Sequence, residues 1–399
     1  MAGQALSGIR VLDFTYHIAG PYCTKLLADF GAEVLKVEPP GGGDVSRRLG
    51  PFLNDEPNPE ASGMFLYLNT NKQSVTLNLE TEAGRTMARR LAAESDVIVE
   101  NFAPGALASL GLGYDDLSAL NPRVVMVSIS PFGQDGPWRD WKADEVNLHA
   151  ISGLMQITGD PEREPLKNGG HQALYNTGIN AFTGALMAIF AQLARGVGQH
   201  VDVSAYESMS YMIEPPRVVQ ASTLGTFTNR VGNTGTLYPA ANGHVNFIRG
   251  GSGNTYEVLA KVTGNDEFLS DTFKNLPLLG AASPQVREAL EGLLVPWLLE
   301  HPKEEFYHSG QAGGQNFGYV ANPEDLVASP QLQARAFFVD VEHPVAGHLT
   351  YPGAPYRLSE TPWHAGRAPL LGEHNGAVYI DRLGFTPAQM VELTRAGII

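Results

Sequence analysis

The stretch that decides the fold is IRVLDFTYHIAGPYCTKLLADFGAEVLKVEPP, residues 9–40. It opens with a short apolar run rich in β-forming side chains, and apolar residues then follow at helical spacing, at Tyr22, Leu26 and Phe30. A second apolar run, 33–40, ends in two prolines, which rarely continue a central strand. This order of strand, helix and strand predicts a β-α-β unit, from which doubly wound parallel sheets are built.

The same alternation recurs along the first half of the chain. Further strands are predicted over 74–79, 96–102, 123–133 and at the start of 200–209. A helix is predicted over 82–94, and a long buried helix over 180–195. The pattern therefore predicts an α/β fold with a parallel sheet.

Beyond about residue 215 the composition shifts toward glycine and turn-forming residues. The segment GTLYPAANGHVNFIRGGSGN, 235–254, predicts a β-hairpin, and a smaller second domain is predicted over 220–325. The tail, 371–399, predicts two helices that pack back onto the first domain.

Charge and cysteine content narrow the class of protein. The chain has 42 acidic and 27 basic side chains and a net charge of −15, which argues against nucleic acid or an anionic membrane as the main partner. Cys23 is the only cysteine, so no intrachain disulfide forms, as is usual in a reducing cytoplasm. The longest apolar run, 180–194, is too short to span a bilayer. We expect a soluble cytoplasmic protein.

Common catalytic motifs are missing from the sequence. It contains no Walker A loop, no zinc-type Cys/His cluster and no G-x-S-x-G motif, so no metal site is predicted. The first βα turn, 15–22, also lacks the glycine fingerprint of dinucleotide-binding proteins. Its Ala19-Gly20 pair is nevertheless small enough for a ligand to approach the backbone.

Seven blocks of sequence indicate the protein family more clearly than any single motif. They are GIRVLDF…PPGGGD (8–44), LNTNKQSVTLNL (68–79), DVIVENF…DGPW (96–138), ISGLMQITGDP (151–161), GVGQHVDVSAYE (196–207), SPQLQARAFF (329–338) and APLLGEHN (368–375). In this order they resemble the class III CoA-transferase family, which includes transferases and an α-methylacyl-CoA racemase. The resemblance implies a large Rossmann-like CoA-binding domain made of 1–219 and 326–399, a small domain over 220–325, and an interlocked homodimer.

The resemblance also implies a CoA site. The matching positions are His17, Ala19, Asn71, Lys72, Asn101, Phe102 and Lys142. Lysines and backbone N–H groups suit the phosphates of CoA, and apolar walls suit its adenine. Some family members have an arginine where Ala103 or Ser109 stands, and Arg47 or Arg48 could replace it.

In the family's transferases an aspartate attacks the acyl-CoA thioester, and the block GGHQALYNTG, 169–178, places Leu174 at that position. Leucine has neither a nucleophile nor a proton to give. The nearest matching carboxylate is Glu145, which could act in catalysis or cap a helix entry. Near Leu174, His171 could act as acid or base or be structural.

Two further side chains bear on the chemistry. Asp144 stands where the racemases have a histidine, and His149 is expected to be a buried residue of the helix after Glu145.

Three functions remain open. The chain is either an acyl-CoA enzyme, a silent acyl-CoA-binding protein or partner subunit, or an enzyme inactivated at Leu174. In the first case it transfers CoA to a small carboxylic acid using Glu145, or acts as a lyase, hydratase or isomerase.

Overall fold

The structure of the protein is a computed structural model that describes residues 3–159, 163–212, 222–223, 225, 236–247, 254–274 and 284–399. The chain divides into two compact units. The first contains Met1–Gln156, Leu166–Phe227 and Ala336–Ile399, and the second contains Ile157–Pro165 and Thr228–Arg335. The predicted boundary between residues 219 and 220 lies outside the described residues, and the second unit continues to Arg335, past the predicted limit at 325.

A six-stranded sheet forms the centre of the first unit. Its strands are Arg10–Asp13 (β1), Glu33–Glu38 (β2), Gln73–Thr76 (β3), Val97–Glu100 (β4), Val125–Ser130 (β5) and Gln199–Ser204 (β6). All neighbours pair in parallel, in the order β3-β2-β1-β4-β5-β6. The predicted parallel sheet is confirmed, and this strand order is typical of Rossmann-like folds.

Helices lie between these strands and after the last of them. They are Ala19–Asp29 (α1), Gly63–Leu68 (α2), Glu82–Ala93 (α3), Ala106–Ser109 (α4), Tyr114–Leu120 (α5), Glu145–Ile151 (α6), Gln172–Arg195 (α7) and Ala205–Ser210 (α8). Short 3₁₀ helices lie at Val45–Arg48, Leu53–Asp55 and Met155–Ile157.

Successive residues of the central strands enter two different cores. Leu12 packs with Leu91 of α3 on one face of the sheet. On the other face, Val11 packs with Leu27 of α1 and Ala185 of α7. Burial on both faces explains why the strands read as continuous apolar runs rather than as alternating ones.

The long helix predicted over 180–195 is part of α7, and its two sides differ. The inner side lies against α1, where a Cβ atom on Gly178 would be 2.7 Å from the carbonyl oxygen of Ala19, so glycine permits the close approach. The outer side exposes Met187, Phe190 and Leu193, at 68%, 74% and 64% of their surface. The predicted burial therefore holds for one side of the helix only.

The second unit combines a small sheet with helices. Thr236–Ala240 (β7), Gly243–Phe247 (β8) and Phe317–Tyr319 (β9) pair antiparallel. The predicted hairpin within 235–254 is confirmed, although its glycines at 250–253 lie outside the described residues. The α-helices are Thr255–Thr263, Asp271–Lys274, Pro284–Glu300, Lys303–Ala312, Pro323–Ala328 and Pro330–Ala334, with a 3₁₀ helix at Asp266–Leu269.

The last part of the chain returns to the first unit. A hairpin of Phe338–His343 and Gly347–Pro352 is followed by a π-helix, Gly376–Arg382, and an α-helix, Pro387–Arg395. The predicted helices of the tail are therefore present, and the first is a π-helix.

The tail covers the edge strand β3. The N–H group of Ser74 donates to Nδ1 of His374 (3.2 Å), and that of Thr76 donates to Oδ1 of Asn375 (2.9 Å). Tyr379 is fully buried and donates its hydroxyl to the carbonyl of Thr76 (2.8 Å). These bonds satisfy backbone groups that an open sheet edge would expose.

Candidate active site

The strand order reverses direction between β1 and β4, and a cavity of about 460 Å³ lies at the carboxyl ends of these strands. Such reversal points are where open parallel sheets bind ligands. We call it the switch-point cavity. It is lined by Tyr16, His17, Ala19, Asn101–Pro104, Ile129–Pro131, Asp140–Asp144, Leu148, Leu174, Thr177 and Ala205.

A buried ion pair fixes the turn after β1. His17 adopts a left-handed backbone conformation (φ 68°), and its N–H group donates to Oδ1 of Asp44 (3.0 Å). Asp44 pairs in turn with Lys36 (2.8 Å), whose ammonium group also donates to the carbonyl of Thr15 (2.7 Å). Both charged side chains are buried, so the turn is held from beneath by charge-assisted bonds.

The loop after β4 is tied to the same turn. The amide of Asn101 donates to the carbonyl of Tyr16 and its oxygen accepts from the N–H of Tyr16, each at 2.9 Å. The rings of Tyr16 and Phe102 lie 5.6 Å apart, and the N–H of Phe102 donates to buried Glu100 (2.8 Å). Burial raises the pKa of Glu100 to about 7.

Glu145 caps the start of α7. Its two carboxylate oxygens accept from the N–H groups of Ala173 (3.0 Å) and Leu174 (3.2 Å), and 7% of the residue is exposed. This is the helix-capping alternative raised by the sequence. His149 is buried, as expected, with Nδ1 3.0 Å from the carbonyl oxygen of Glu145. The side chain of Leu174 contributes an apolar surface to the cavity wall.

His171 precedes α7 and lies close to His17. The centroids of the two rings are 6.3 Å apart. Burial, with a smaller contribution from His171, lowers the pKa of His17, which favours the neutral form of its ring. Nδ1 of His171 is buried and has no hydrogen-bond partner within the described part of the chain.

Lys72 is turned away from the cavity. Its ammonium group donates to Asp13 (3.1 Å), to the carbonyl of Pro21 (3.0 Å) and to the side-chain oxygen of Asn69 (2.8 Å). These bonds use all three of its N–H groups, and burial lowers the pKa of Lys72 to about 8. In this structure the side chain has no donor left for a ligand, so the predicted contact of Lys72 with a CoA phosphate, which stays a prediction, would require one of these bonds to break.

Asn71 does not line the cavity either. It adopts a left-handed conformation (φ 62°), and its amide donates to Asp29 (2.6 Å) and to the carbonyl of His364 (2.8 Å). The asparagine therefore joins distant parts of the chain. Its place in the CoA site stays a prediction.

Three other cations occupy different environments. Lys142 is exposed at the rim of the switch-point cavity. Arg48 lines a neighbouring cavity, whereas Arg47 is buried in ion pairs with Glu38 and Glu60. Lys142 and Arg48 are thus the accessible positive charges, and Arg47 is structural.

The neighbouring cavity was not anticipated from the sequence. It measures about 740 Å³, shares Tyr16 and Phe102 with the switch-point cavity, and includes residues 37–41 at the end of β2 and 77–80 after β3. The signal that could have indicated it is PPGGGD, since Gly41 and Gly43 have left-handed φ values of 77° and 60°.

The described ranges contain no group of three or more His, Cys, Asp or Glu side chains placed to hold a metal ion.

The sequence profile described as "CoA-transferase family III" matches residues 6–375. The chain belongs to CoA-transferase family III. The resemblance found in the sequence is confirmed.

Relatives of this family III chain match it almost from end to end. The formyl-CoA:oxalate CoA-transferase of Streptomyces avermitilis is 34% identical over 418 residues, covering 99% of this chain and 100% of the relative. Subunit BbsE of the succinyl-CoA:(R)-benzylsuccinate CoA-transferase of Thauera aromatica is 31% identical over 407 residues, covering 100% and 98%. A solved CAIB/BAIF family protein from Brucella suis matches with a TM-score of 0.84 and 28% identity, covering 95% of this chain and 99% of that one.

The residues predicted for the site of this family III protein fall into three groups. Those that line the switch-point cavity are His17, Ala19, Asn101, Phe102, Lys142 and Leu174. Glu145, which begins α6 and caps α7, and His171, which precedes α7, are not part of that lining. Asn71 and Lys72 form structural contacts elsewhere.

Proposed function

We propose that the chain binds an acyl-CoA thioester and transfers its CoA to a small carboxylic acid. The observation that carries this proposal is the pair of cavities at the switch point, joined by the shared residues Tyr16 and Phe102. An extended ligand such as CoA needs a long site with apolar walls and a few fixed polar groups. The named activities of the formyl-CoA and succinyl-CoA relatives support the same reaction class.

The charges around the two cavities suit a CoA ligand. Lys142 lies at one cavity and Arg48 at the other, so the phosphates can meet a cation along either part of the site. Leu77 and Phe102 supply apolar surface in the second cavity, where the adenine can lie. These local cations act against the net charge of −15, so binding depends on them.

The part that Glu145 plays in this proposal is positioning. Both of its oxygens accept N–H bonds from the first turn of α7, and an attack on a thioester would break them. A buried carboxylate in that state is a poor nucleophile because attack would cost it hydrogen bonds that stabilise its charge. Glu145 instead holds Leu174 at the cavity wall.

We also propose an interlocked, cytoplasmic homodimer. The outer side of α7 presents Met187, Phe190 and Leu193 to solvent in the single chain, and a second protomer would cover them. In the described part of the chain, α7 is also the helix long and apolar enough to cross a membrane. Its capped start and packed inner side fit a protein interface better. Light scattering that gives the mass of one chain at micromolar concentration would contradict the dimer.

A silent partner subunit is the second candidate. It is favoured by Leu174, which replaces the carboxylate expected in that position, and by the relative that is named as one subunit of a transferase. In that case the chain binds acyl-CoA but turns it over only together with a second, related chain.

The test is an exchange assay on the purified chain. Succinyl-CoA or formyl-CoA is incubated with a panel of carboxylic acids, and the CoA species are followed by mass spectrometry. A new acyl-CoA that depends on the acceptor is the expected result. A changed acyl group without an acceptor would indicate a lyase, hydratase or isomerase, and tight binding without any product would favour the silent subunit.

The pair Leu174→Asp and Leu174→Asn separates an altered mechanism from a disabled one. If position 174 is merely disabled, the aspartate raises the rate by several orders of magnitude, because removal of a nucleophile has a cost of that size. The asparagine has nearly the same shape and should not change the rate.

A further inference from the structure

The wall of the switch-point cavity carries a carboxylate to which no role has yet been given. Asp144 is the residue before α6, and it lines the cavity together with Leu148 and Leu174. Its side chain is exposed, in contrast to that of Glu145 beside it. We propose that Asp144 is the nucleophilic carboxylate of this chain and takes the part that Leu174 cannot play. The inference rests on the proposed transfer of CoA.

The other acidic side chains around the cavity are engaged or buried. Glu145 has both oxygens on α7, Glu100 is buried and bonded to the N–H of Phe102, and Asp44 is buried under His17. Asp140 lines the cavity too, but it pairs with Arg139 (3.4 Å). Asp144 is the remaining carboxylate of the lining, and a ligand can reach it.

Local bonds orient Asp144 without removing it from solvent. One oxygen accepts from the N–H of Glu145 (2.8 Å), and the N–H of Asp144 donates to the side chain of Asn147 (3.2 Å). This capping arrangement fixes the carboxylate relative to α6. A fixed and accessible carboxylate is better placed to attack than a mobile one, because less orientation is needed at the transition state.

His17 and Lys142 complete the surroundings. The negative charge of Asp144 acts on His17 and opposes the lowering of its pKa by burial, which places the two side chains within electrostatic reach. Lys142 precedes Asp144 by two residues and lines the same cavity. A neutral imidazole and an ammonium group are both suited to stabilise an oxygen that gains negative charge during attack.

The proposed steps balance without another reactant. A carboxylate oxygen of Asp144 attacks the thioester carbonyl, and the C–S bond breaks. This releases the CoA thiolate and forms a mixed anhydride between the acyl group and Asp144. The thiolate then attacks the carbonyl carbon of Asp144, which releases the first carboxylate and forms an Asp144–CoA thioester. The acceptor carboxylate then attacks the Asp144–CoA thioester, which releases the thiolate and forms a second mixed anhydride. The thiolate attacks the acceptor's carbonyl carbon in this anhydride, which regenerates the Asp144 carboxylate and yields the new acyl-CoA.

The experiment uses the full chain with succinyl-CoA and formyl-CoA. After a short incubation the protein is quenched, treated with borohydride or hydroxylamine, and mapped by peptide mass spectrometry. The expected result is an adduct on Asp144, and a loss of turnover of at least about 10³-fold in Asp144→Asn. Asparagine is as good a helix cap as aspartate, so this variant removes the charge and keeps the fold. Asp115→Asn, on the exposed first turn of α5, is the matched control and should keep full activity.

A double variant tests whether a lost carboxylate explains the loss of turnover. Asp144→Asn combined with Leu174→Asp places a carboxylate on another residue of the cavity lining, and activity should recover. Full turnover in Asp144→Asn alone, or an adduct on Glu145, would overturn the role of Asp144 and leave the proposed CoA transfer standing. Neither turnover nor adduct in the unmodified chain would overturn both.

Discussion

The floor and the rim of the switch-point cavity contain the same kinds of charged side chain in opposite situations. Under the cavity, Lys36 and Lys72 are buried and paired with Asp44 and Asp13, and all three donors of Lys72 are used. At the rim, Lys142 is exposed and free to meet a ligand. The difference shows that charged side chains near a cavity have two separate roles. The buried ones hold the turn after β1 in place, and the exposed ones are available to bind a ligand.

The largest effect is expected on the floor. Lys72→Ala removes the ion-pair partner of buried Asp13, which keeps only its hydrogen bonds from Thr15 and Thr24. This loss should lower the free energy of unfolding by about 3–5 kcal/mol. Urea unfolding measures this loss. The fraction that stays folded should bind CoA with unchanged affinity. If the variant instead has normal stability and weakened CoA binding, Lys72 contacts the ligand.

A pH dependence should follow from Glu100, which is also buried. Its pKa is about 7 in the folded chain and lies near 4.5 when exposed, so the folded state holds the proton more tightly. The protonated Glu100 therefore contributes fully to the free energy of unfolding below about pH 4.5. As the pH rises from there to about 7, this contribution of about 1–3 kcal/mol is lost. Glu100→Gln should flatten that part of the profile of unfolding free energy against pH. An identical profile in the variant would show that Glu100 does not titrate there.

The smallest effect is expected at the rim. Lys142→Ala should weaken CoA binding by about 1–2 kcal/mol, the usual size of a charge-assisted contact, with unfolding changed by less than about 0.5 kcal/mol. Calorimetry at two salt concentrations measures it, because an exposed contact weakens in high salt. Affinity equal to that of the unmodified chain would remove Lys142 from the site and leave the rim without this binding role.

The sequence was sufficient to predict the sheet because short apolar runs rich in β-forming side chains are a local signal. The runs around β1 and β2 predicted their strands, and pairing in parallel followed from the helices between them. The site was only partly predictable. His17, Asn101 and Phe102 follow strand ends, and such positions meet at one edge of a parallel sheet.

What the sequence could not give was the direction of long side chains. Lys72 and Lys142 are both lysines in family-matched positions, yet one is buried and the other exposed. That outcome depends on partners distant in sequence, such as Asp13, which lies 59 residues before Lys72. For the same reason the second cavity was missed, since residues 37–41 and 77–80 come together only when β2 and β3 pair.

The C-terminal tail has a consequence for how the protein is made. The edge of β3 is closed by His374 and Asn375, and the core behind the sheet is completed by Tyr379 and Ile399. A ribosome therefore releases the first strands long before the residues that cover them exist. The second unit, built mainly from 228–335, emerges whole in the meantime. The first unit can finish folding only after residues 374–399 have emerged, so its nascent sheet edge must be kept from other chains until then.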